Sequence, residues 1–351
     1  MNVPCQAQNA IIGRAQDTNR LVNKIIQFTK MQGLGNDFVV IAASDLAPAL
    51  VFTVEARATL ARLMCDRRFG IGGDGLIIMF DFSLTSDLPK VLRDENNADC
   101  HIGWIYVNGD GSVSDMCGNA LRCGALWAHL NNKTQVPELS IATPVGKKEI
   151  IYRNADEITV NLGEPILQPQ QIPIRVEYTD AFVHKPLGLE NLKGTCVSMG
   201  NPHVVLFDVV ADNKNRQAEG SENAGSRFPQ NYLELAPQIQ QLDMFPDGVN
   251  VEFATVESAT RMRLFVYERG CGATLACASG ACAAVVAGVL EKRIERKVDV
   301  QLPGGCLKIE WCEADNQIRV TGPARVSFSG IFDLSTLGHE QTPRAAEAVC
   351  Q

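Results

Sequence analysis

The sequence has no excess of positive charge, and this absence excludes two broad classes of partner. Lysine and arginine number 32 against 40 aspartate and glutamate residues, which gives a formal net charge of -8. A protein that binds a nucleic-acid backbone or an anionic membrane surface through electrostatics needs a basic balance or a basic patch. We therefore expect no nucleic-acid partner and no membrane, and a small molecule as substrate.

The sequence also lacks a recognisable secretory signal and the cysteine density of a disulfide scaffold. The first twenty residues read MNVPCQAQNAIIGRAQDTNR and contain no charged n-region followed by about 7 to 15 apolar residues. Twelve cysteines among 351 residues lie well below the density of a disulfide scaffold. These features predict a cytoplasmic protein with reduced thiols, and the length favours two domains or one large one.

One long segment, Gly270 to Leu290, carries no charge. Its length would suffice to cross a bilayer, but its residues are mostly Ala, Gly, Cys, Ser and Thr rather than large apolar side chains. We expect a buried helix that small side chains allow to pack tightly.

An internal repeat is the most informative feature of the sequence. Cys117-Gly-Asn-Ala-Leu-Arg-Cys123 corresponds to Cys277-Ala-Ser-Gly-Ala-Cys282, and 277 − 117 gives a period of 160 residues. The register persists downstream, because Ile158 and Ile318 each lie 41 residues beyond their cysteine. Upstream, the similar segments are LGNDFVV, which begins at residue 34, and MGNPHVV, which begins at residue 199.

A period of this length is too long for a solenoid and indicates duplicated domains. We predict an α/β (α+β) fold in which each domain places strands around one cysteine-headed helix. The predicted helices are Thr53 to Cys65 and Cys117 to Leu130. Alternation and β-branched residues predict strands at Phe38 to Ala42, Leu76 to Phe80, Ile150 to Tyr152, Ile158 to Leu162, Val204 to Phe207, Arg261 to Tyr267 and Ile318 to Thr321.

Two familiar motifs have weaker support than their patterns suggest. Gly70-Ile-Gly72-Gly-Asp-Gly75 fits the dinucleotide fingerprint, but a predicted helix precedes it and a strand follows, which is the reverse of the required order. We expect a tight turn that delivers Asp74 to the domain interior.

The cysteine pairs of the two repeats lie five or six residues apart, on different faces of a helix, so we expect no metal site.

The remaining feature is one cysteine at the head of a helix in each repeat. Unpaired N–H groups and positive potential at a helix N-terminus lower a thiol pKa and bind an anion such as a carboxylate. Two such termini facing each other across a cleft could remove a proton from one face of a carbon and return it to the other. The alternative is a pair of packed cysteines without chemistry.

Polar residues near turns supplement the two thiols. These are Asn36, Asn108, Asn201 with His203, Asn250, and the pair Glu268 and Arg269. Each of them alone is weak support, because an Asn beside Gly is usually a turn and a Glu-Arg pair is usually solvated.

At these residues the sequence closely resembles the diaminopimelate epimerase family. The similarity extends from about Ile26 to Leu334 and is carried by FTKMQGLGNDFVVI, YVNGDGSVSDMCGNALRC, SMGNPHVVLF, RLFVYERGCG and LACASGACAAV. The family acts without pyridoxal phosphate or a metal, so the resemblance implies no cofactor. It implies interconversion of LL- and meso-diaminopimelate, on the route to lysine and the bacterial cell wall.

The resemblance also assigns roles to residues. Cys117 and Cys277 would be the acid/base pair, one as thiolate and one as thiol, while His203 and Glu268 would hold the ammonium group beside the reacting carbon and assist the thiols. Substrate-binding roles are implied for Asn36, Asn108, Gly118, Asn119, Asn201, Asn250, Arg269, Ala278 and Ser279.

The sequence departs from the family motifs at several positions. C-G-N-G-A-R reads Cys117-Gly-Asn-Ala-Leu-Arg122 here, and E-T-x-A-C-G-S-G reads Ala273-Thr-Leu-Ala-Cys277-Ala-Ser-Gly280. Ala278 should still donate its backbone N–H to a carboxylate if its φ is negative, as at a helix start. The alternatives are a related amino acid racemase, a catalytically silent amino-acid-binding paralogue and a thiol redox protein.

The implied architecture is two pseudo-symmetric domains, each a curled, barrel-like and mostly antiparallel sheet around a central helix, in a homodimer. The predicted boundaries are 1–25 for an N-terminal extension, 26–161 with about 324–337 for the first domain, 162–323 for the second, and 338–351 for a polar tail. A polar insertion, Asp212 to Gln230, interrupts the second domain.

Overall fold

A computed structural model of the chain describes residues 25–82, 88–93, 95–97, 99–100, 102–113, 116–177, 179–209 and 228–334. The predicted polar tail lies outside the described residues. The predicted N-terminal extension and polar insertion also lie outside them, apart from residue 25 and residues 228–230.

The described residues form seventeen strands. Those of the first half are β1 (Ile25–Gly33), β2 (Asn36–Ala42), β3 (Gly75–Asp81), β4 (Ile102–Asn108), β5 (Glu138–Thr143), β6 (Gly146–Asn154) and β7 (Glu157–Gly163). Those that follow are β8 (Lys185–Pro186), β9 (Lys193–Ser198), β10 (Pro202–Phe207), β11 (Asn250–Ser258), β12 (Arg261–Glu268), β13 (Gly272–Thr274), β14 (Lys297–Leu302), β15 (Gly305–Trp311), β16 (Ile318–Gly322) and β17 (Arg325–Asp333). Every predicted strand lies within one of them.

The α-helices are α1 (Pro48–Val51), α2 (Val54–Cys65), α3 (Gly118–Leu130), α4 (Gln230–Gln240) and α5 (Ala278–Leu290). Short 3-10 turns lie at Ala43–Asp45, Lys90–Leu92 and Glu95–Asn97. Both predicted helices are confirmed, and the Thr53 side chain caps α2 by accepting a hydrogen bond from the Ala56 N–H.

Strand pairing repeats in the two halves, which confirms the duplicated α/β fold. β1–β2, β3–β4, β5–β6 and β6–β7 are antiparallel, as are β9–β10, β11–β12, β14–β15 and β15–β16. The parallel pairs β2–β3 and β4–β5 correspond to β10–β11 and β12–β14. β7 and β16 join the halves, and β17 returns to pair with β1.

Each half packs helices on both faces of its sheet. Alternate residues of β3 point to opposite faces, so that Ile77 lies in the core around α3 and Ile78 in the core against α2. In the second half, Val205 lies in the core around α5 and Val204 in the core against α4. The core around α3 and α5 is one continuous cluster, which makes these two helices the centre of the molecule.

The uncharged segment from Gly270 onward forms a helix only from Ala278, so the prediction of a helix throughout is wrong. Gly270 and Gly272 have φ of +83° and +76°, a conformation that breaks a helix, and β13 then pairs with β12. The rest of the segment forms α5, which is buried on almost all sides. Its buried residues are Ala, Val, Gly and Cys, as expected for a helix that packs through small side chains. No helix among the described residues is long and apolar enough to span a membrane.

The glycine-rich turn before β3 also differs from expectation. It lies between α2 and β3, as the sequence predicts, but the Asp74 side chain is 36% exposed rather than interior. It pairs with Arg67 at 2.7 Å and accepts a hydrogen bond from the Asn36 amide at 3.1 Å. Because Arg67 lies at the surface, its partner carboxylate lies there too.

Candidate active site at the two helix starts

The first turns of α3 and α5 abut each other. A Cβ added to Gly118, the first residue of α3, would lie 2.9 Å from the Cβ of Ala278, the first residue of α5. This distance is too short for two carbon atoms without movement, so glycine at residue 118 permits the approach. The two halves of the molecule therefore meet helix start against helix start.

A cysteine is the N-cap residue of each of these helices. Cys117 has φ −146° and ψ 108°, and Cys277 has φ −125° and ψ 115°, the extended conformation of an N-cap. Cys277 is 6% exposed and Cys117 is partly buried. Ala278 lies within the helix and so has the negative φ that N–H donation requires. Both predicted thiols thus stand where the two halves meet.

The electrostatics of the thiols contradict the expected lowering of their pKa. Burial raises the pKa of Cys117 to about 11, and the negative charge of Glu268 adds to the rise, although the N–H groups of Ala120 and Asn119 and the charge of Arg122 lower it. Burial also raises the pKa of Cys277 well above its ordinary value. The loss of water around the thiols therefore outweighs the effect of the helix starts on their pKa.

His203 is fully buried and held at both ring nitrogens. Its Nδ1 lies 2.7 Å from the Glu252 carboxylate, and its Nε2 lies 2.9 Å from the Asn201 side-chain oxygen. The predicted pair Asn201 and His203 is therefore in direct contact, at the start of β10. Neighbouring strands β10 and β11 bring the imidazole and Glu252 together.

Sequence analysis missed Glu252. This carboxyl is fully buried, burial raises its pKa against the opposing effect of His203, and its Oε2 has no hydrogen-bond partner among the described residues. Its charge also acts on Cys277. An acidic residue in a strand between Val251 and Phe253 was the available signal, because a buried carboxylate needs a reason to be there.

Glu268 lies at the end of β12 and acts electrostatically on both predicted thiols. Its carboxylate accepts a hydrogen bond from the Thr274 hydroxyl at 2.6 Å. Next to it, the Arg269 N–H donates to the Asn250 side-chain oxygen at 2.8 Å, and the exposed Arg269 guanidinium donates to the Asp247 carbonyl at 2.7 Å. Three residues predicted for the site, Glu268, Arg269 and Asn250, are therefore neighbours in the second half.

From the first half, the Asn119 side-chain amide donates to Asn36 at 2.5 Å and to the Ala276 carbonyl at 3.3 Å. This bond to the residue before Cys277 links the halves. Asn108 ends β4, and among the described residues it hydrogen-bonds Ser112 rather than another predicted site residue. Ser279 lies beside Cys277, with the hydroxyl 3.4 Å from the sulfur.

The second cysteine of each repeat is structural. Cys123 and Cys282 are fully buried, and burial raises the pKa of each thiol. No group of three His, Cys, Asp or Glu side chains in the described part of the chain could hold a metal ion.

The arrangement can bind an anion and move a proton. Backbone N–H groups at two helix starts offer donors for a carboxylate, and a thiol lies at each start. A carboxyl and an imidazole complete a set of acid/base groups at the same place.

Comparisons with known proteins identify the family of the chain. The family model described as diaminopimelate epimerase matches residues 28–168 and 195–327. The chloroplastic diaminopimelate epimerase of Oryza sativa subsp. japonica is 39% identical over 312 residues, which cover 88% of this chain and 80% of the rice protein. The diaminopimelate epimerase of Desulfitobacterium hafniense is 39% identical over 313 residues, covering 88% of this chain and 98% of its own.

Solved structures extend the comparison to the fold. A Bacillus anthracis phenazine biosynthesis protein of the PhzF family has a TM-score of 0.57 at 13% identity, covering 88% of this chain and 99% of its own. At this identity the likeness concerns the fold alone. The family model and the two curated relatives go further, and together they show that the chain belongs to the diaminopimelate epimerase family.

Proposed function

We propose that this isomerase interconverts LL- and meso-diaminopimelate without a cofactor, by transfer of the α-proton between two cysteines. The observation that carries the proposal is the contact of two helix starts, each capped by a cysteine. Cys117 and Cys277 are the acid/base pair. The N–H groups of Gly118, Asn119, Ala278 and Ser279 bind the α-carboxylate.

The proposed step conserves atoms and electrons. One thiolate removes the α-proton and becomes a thiol, while the electron pair stays on the substrate and delocalises into the α-carboxylate held by the helix starts. The opposing thiol then gives its proton to the other face of the carbon and becomes a thiolate. The α-carbon is inverted, and the two sulfurs have exchanged protonation states, so the reverse reaction uses them in exchanged roles.

Glu268 holds the substrate ammonium group in this proposal, and His203, whose two ring nitrogens contact Glu252 and Asn201, supports the site through those contacts. A bound cation beside the thiols favours a thiolate and so offsets the raised pKa that burial gives Cys117 and Cys277. Glu252 positions the imidazole of His203 through their 2.7 Å contact.

The proposal predicts that Cys117→Ala and Cys277→Ala each lower the rate of isomerisation at least about 10³-fold, because each removes one of two proton carriers. The measurement is loss of optical activity of LL-diaminopimelate. Cys123→Ala and Cys282→Ala are matched controls in the same helices, and they should keep the rate within about threefold. Turnover near that of the unmodified protein in either catalytic variant would contradict the two-base mechanism.

The distal end of the substrate is assigned to Asn36, Asn108, Asn201, Asn250 and Arg269. A second carboxylate and ammonium group could form additional hydrogen bonds with these polar side chains, whereas a short apolar amino acid could form none of them. This distinction favours diaminopimelate over the substrate of a related racemase.

Arg269→Met should therefore raise KM for diaminopimelate about 10- to 100-fold with a smaller change in kcat, because the lost contact is far from the reacting carbon. Steady-state kinetics measure the two constants separately. Arg263→Met is the matched control, since Arg263 lies on β12, the strand that ends just before Arg269, and pairs with Glu257. An unchanged KM in Arg269→Met would remove the distal carboxylate from the proposal.

A homodimer is also proposed, and the exposed strand β17 supports it. Val326, Phe328 and Ile331 are 41%, 50% and 70% exposed on this strand, which pairs with β1 at the margin of the first half. Exposed apolar side chains on a strand at a sheet margin are typical of a surface covered by a second copy.

Sedimentation should find wild-type protein at twice the chain mass of 38.2 kDa and Ile331→Asp at the chain mass, because a carboxylate would be buried in the contact. Val136→Asp is the control, since Val136 is 53% exposed elsewhere. A monomeric wild-type protein at micromolar concentration, or an Ile331→Asp variant that stays dimeric, would contradict the assignment.

The domain boundaries belong to the same proposal. The pairing of β17 with β1 and the hydrogen bond from the Ala324 N–H to the Ala155 carbonyl support the return of residues 324–334, the described part of the segment predicted to end at about 337, to the first domain. Limited proteolysis that releases a fragment ending near residue 323 while the remainder stays folded would contradict these boundaries.

A cytoplasmic location is the last part of the proposal. Its support is that all cysteines in the described ranges are free thiols, as in a reducing compartment. Recovery of the protein in a membrane or extracellular fraction of the source cells would contradict it.

A further inference from the structure

Arg122 is a fully buried cation that has no acidic partner in the part of the chain that the structure describes. It lies in the second turn of α3, and its guanidinium donates to the Pro323 carbonyl at 3.1 Å, to the Gly118 carbonyl at 3.3 Å and to the Asn119 side-chain oxygen at 2.6 Å. All three acceptors are neutral. A buried charge normally has a partner of opposite sign, since its loss of water is costly.

The helix makes this burial more unfavourable. Arg122 lies close to the N-terminus of α3, where the helix dipole is positive and a cation is disfavoured. The titratable groups that act on it are the thiols of Cys117 and Cys123, from its own helix, and Cys282, from α5. Among these groups, a negative charge on one of the thiols, or on a bound ligand, could compensate the positive charge of the Arg122 guanidinium.

The surrounding backbone is shaped to hold the guanidinium. A Cβ added at Gly33, the last residue of β1, would lie 3.3 Å from Arg122 Nη2, and one at Gly322, the last residue of β16, would lie 3.3 Å from Nε. The guanidinium is thus enclosed by α3 and by the ends of strands from both halves, and it cannot turn outward to water.

Arg122 also orients the amide that joins the halves. A guanidinium only donates, so the Asn119 oxygen must face Arg122 and the Asn119 NH₂ must face Asn36 and the Ala276 carbonyl. The arginine therefore keeps the start of α3 attached to the residue before Cys277.

We propose that Arg122 is a positioning residue of the site, whose buried charge favours the thiolate of Cys117 and whose hydrogen bonds hold the starts of α3 and α5 together. The proposal deepens the proposed function, because it takes Cys117 as one of the two proton carriers. Glu268, at the end of β12, opposes the effect on Cys117, and Arg122 offsets part of that opposition.

The test measures the thiolate directly. Iodoacetamide reacts with a thiolate and releases iodide, so the alkylation rate of Cys117 below its pKa, followed by peptide mass spectrometry from pH 7 to pH 10 in the full-length protein, is proportional to its thiolate fraction. Arg122→Gln removes the charge and should lower this rate about 3- to 10-fold at each pH, which displaces the rate profile to higher pH. Arg122→Lys keeps the charge and should stay within about twofold of wild type.

Arg57→Gln is the matched control. Arg57 is also a buried arginine, 5% exposed, that donates to a carbonyl, in this case that of Val51 at 2.5 Å, but it lies on α2. Its loss should lower the melting temperature without changing the Cys117 titration. A Cys117 rate in Arg122→Gln equal to that of wild type, or a rate in Arg122→Lys as low as in Arg122→Gln, would overturn the proposal.

Unfolding can be recognised, because the buried Cys123 and Cys282 would then react together with Cys117. If Arg122→Gln unfolds, Arg122→Lys decides: a Cys117 alkylation rate at pH 8 within about twofold of wild type supports the proposal, and a rate about tenfold lower contradicts it. The alkylation needs no diaminopimelate. The experiment therefore gives its answer even if the proposed isomerisation fails its own test.

Discussion

The contact between Gly118 and Ala278 is the constraint on which the remaining structure depends. It forces the starts of two central helices, one from each half, to the same point, and so brings together two N-cap cysteines that are 160 residues apart in the chain. The strands of each half pack on one of these two helices, so the duplicated sheets surround the contact. A larger residue at position 118 would separate the halves at the site.

The site combines opposite electrostatic demands. Burial raises the pKa of both thiols and of Glu252, whereas helix starts and Arg122 favour negative charge at Cys117. A substrate that carries both a carboxylate and an ammonium group supplies the charges that these groups lack. Because burial raises the pKa of both thiols, the proposed mechanism relies on the ammonium group of the substrate, together with the helix starts, to favour a thiolate.

Much of this arrangement could be predicted from the sequence because the repeat is visible there. The register between the segments at Cys117 and Cys277 predicted two helices with cysteine heads, and the alternation of β-branched residues located strands such as β3 and β10. These features depend on local pattern, which a single chain carries in full.

The errors came from properties that depend on tertiary contact. Gly270 and Gly272 interrupt the apolar segment through backbone conformation, which composition does not reveal. The pKa of Cys117 depends on how much water reaches it, and Glu252 becomes a partner of His203 only because β10 and β11 are neighbours. Arg122 could be recognised in the motif, but the absence of an acidic partner could be found only in three dimensions.

The most direct measurement of the central claim is the fate of the α-hydrogen in deuterated water. LL-diaminopimelate is converted to a few per cent, and the deuterium at the α-carbons of product and recovered substrate is determined by mass spectrometry. If the two thiols act on opposite faces of the α-carbon, the meso product should carry one deuterium at the inverted carbon, and the recovered LL substrate should carry almost no deuterium. Product that keeps the original hydrogen, or substrate that exchanges as fast as product forms, would contradict the facing pair.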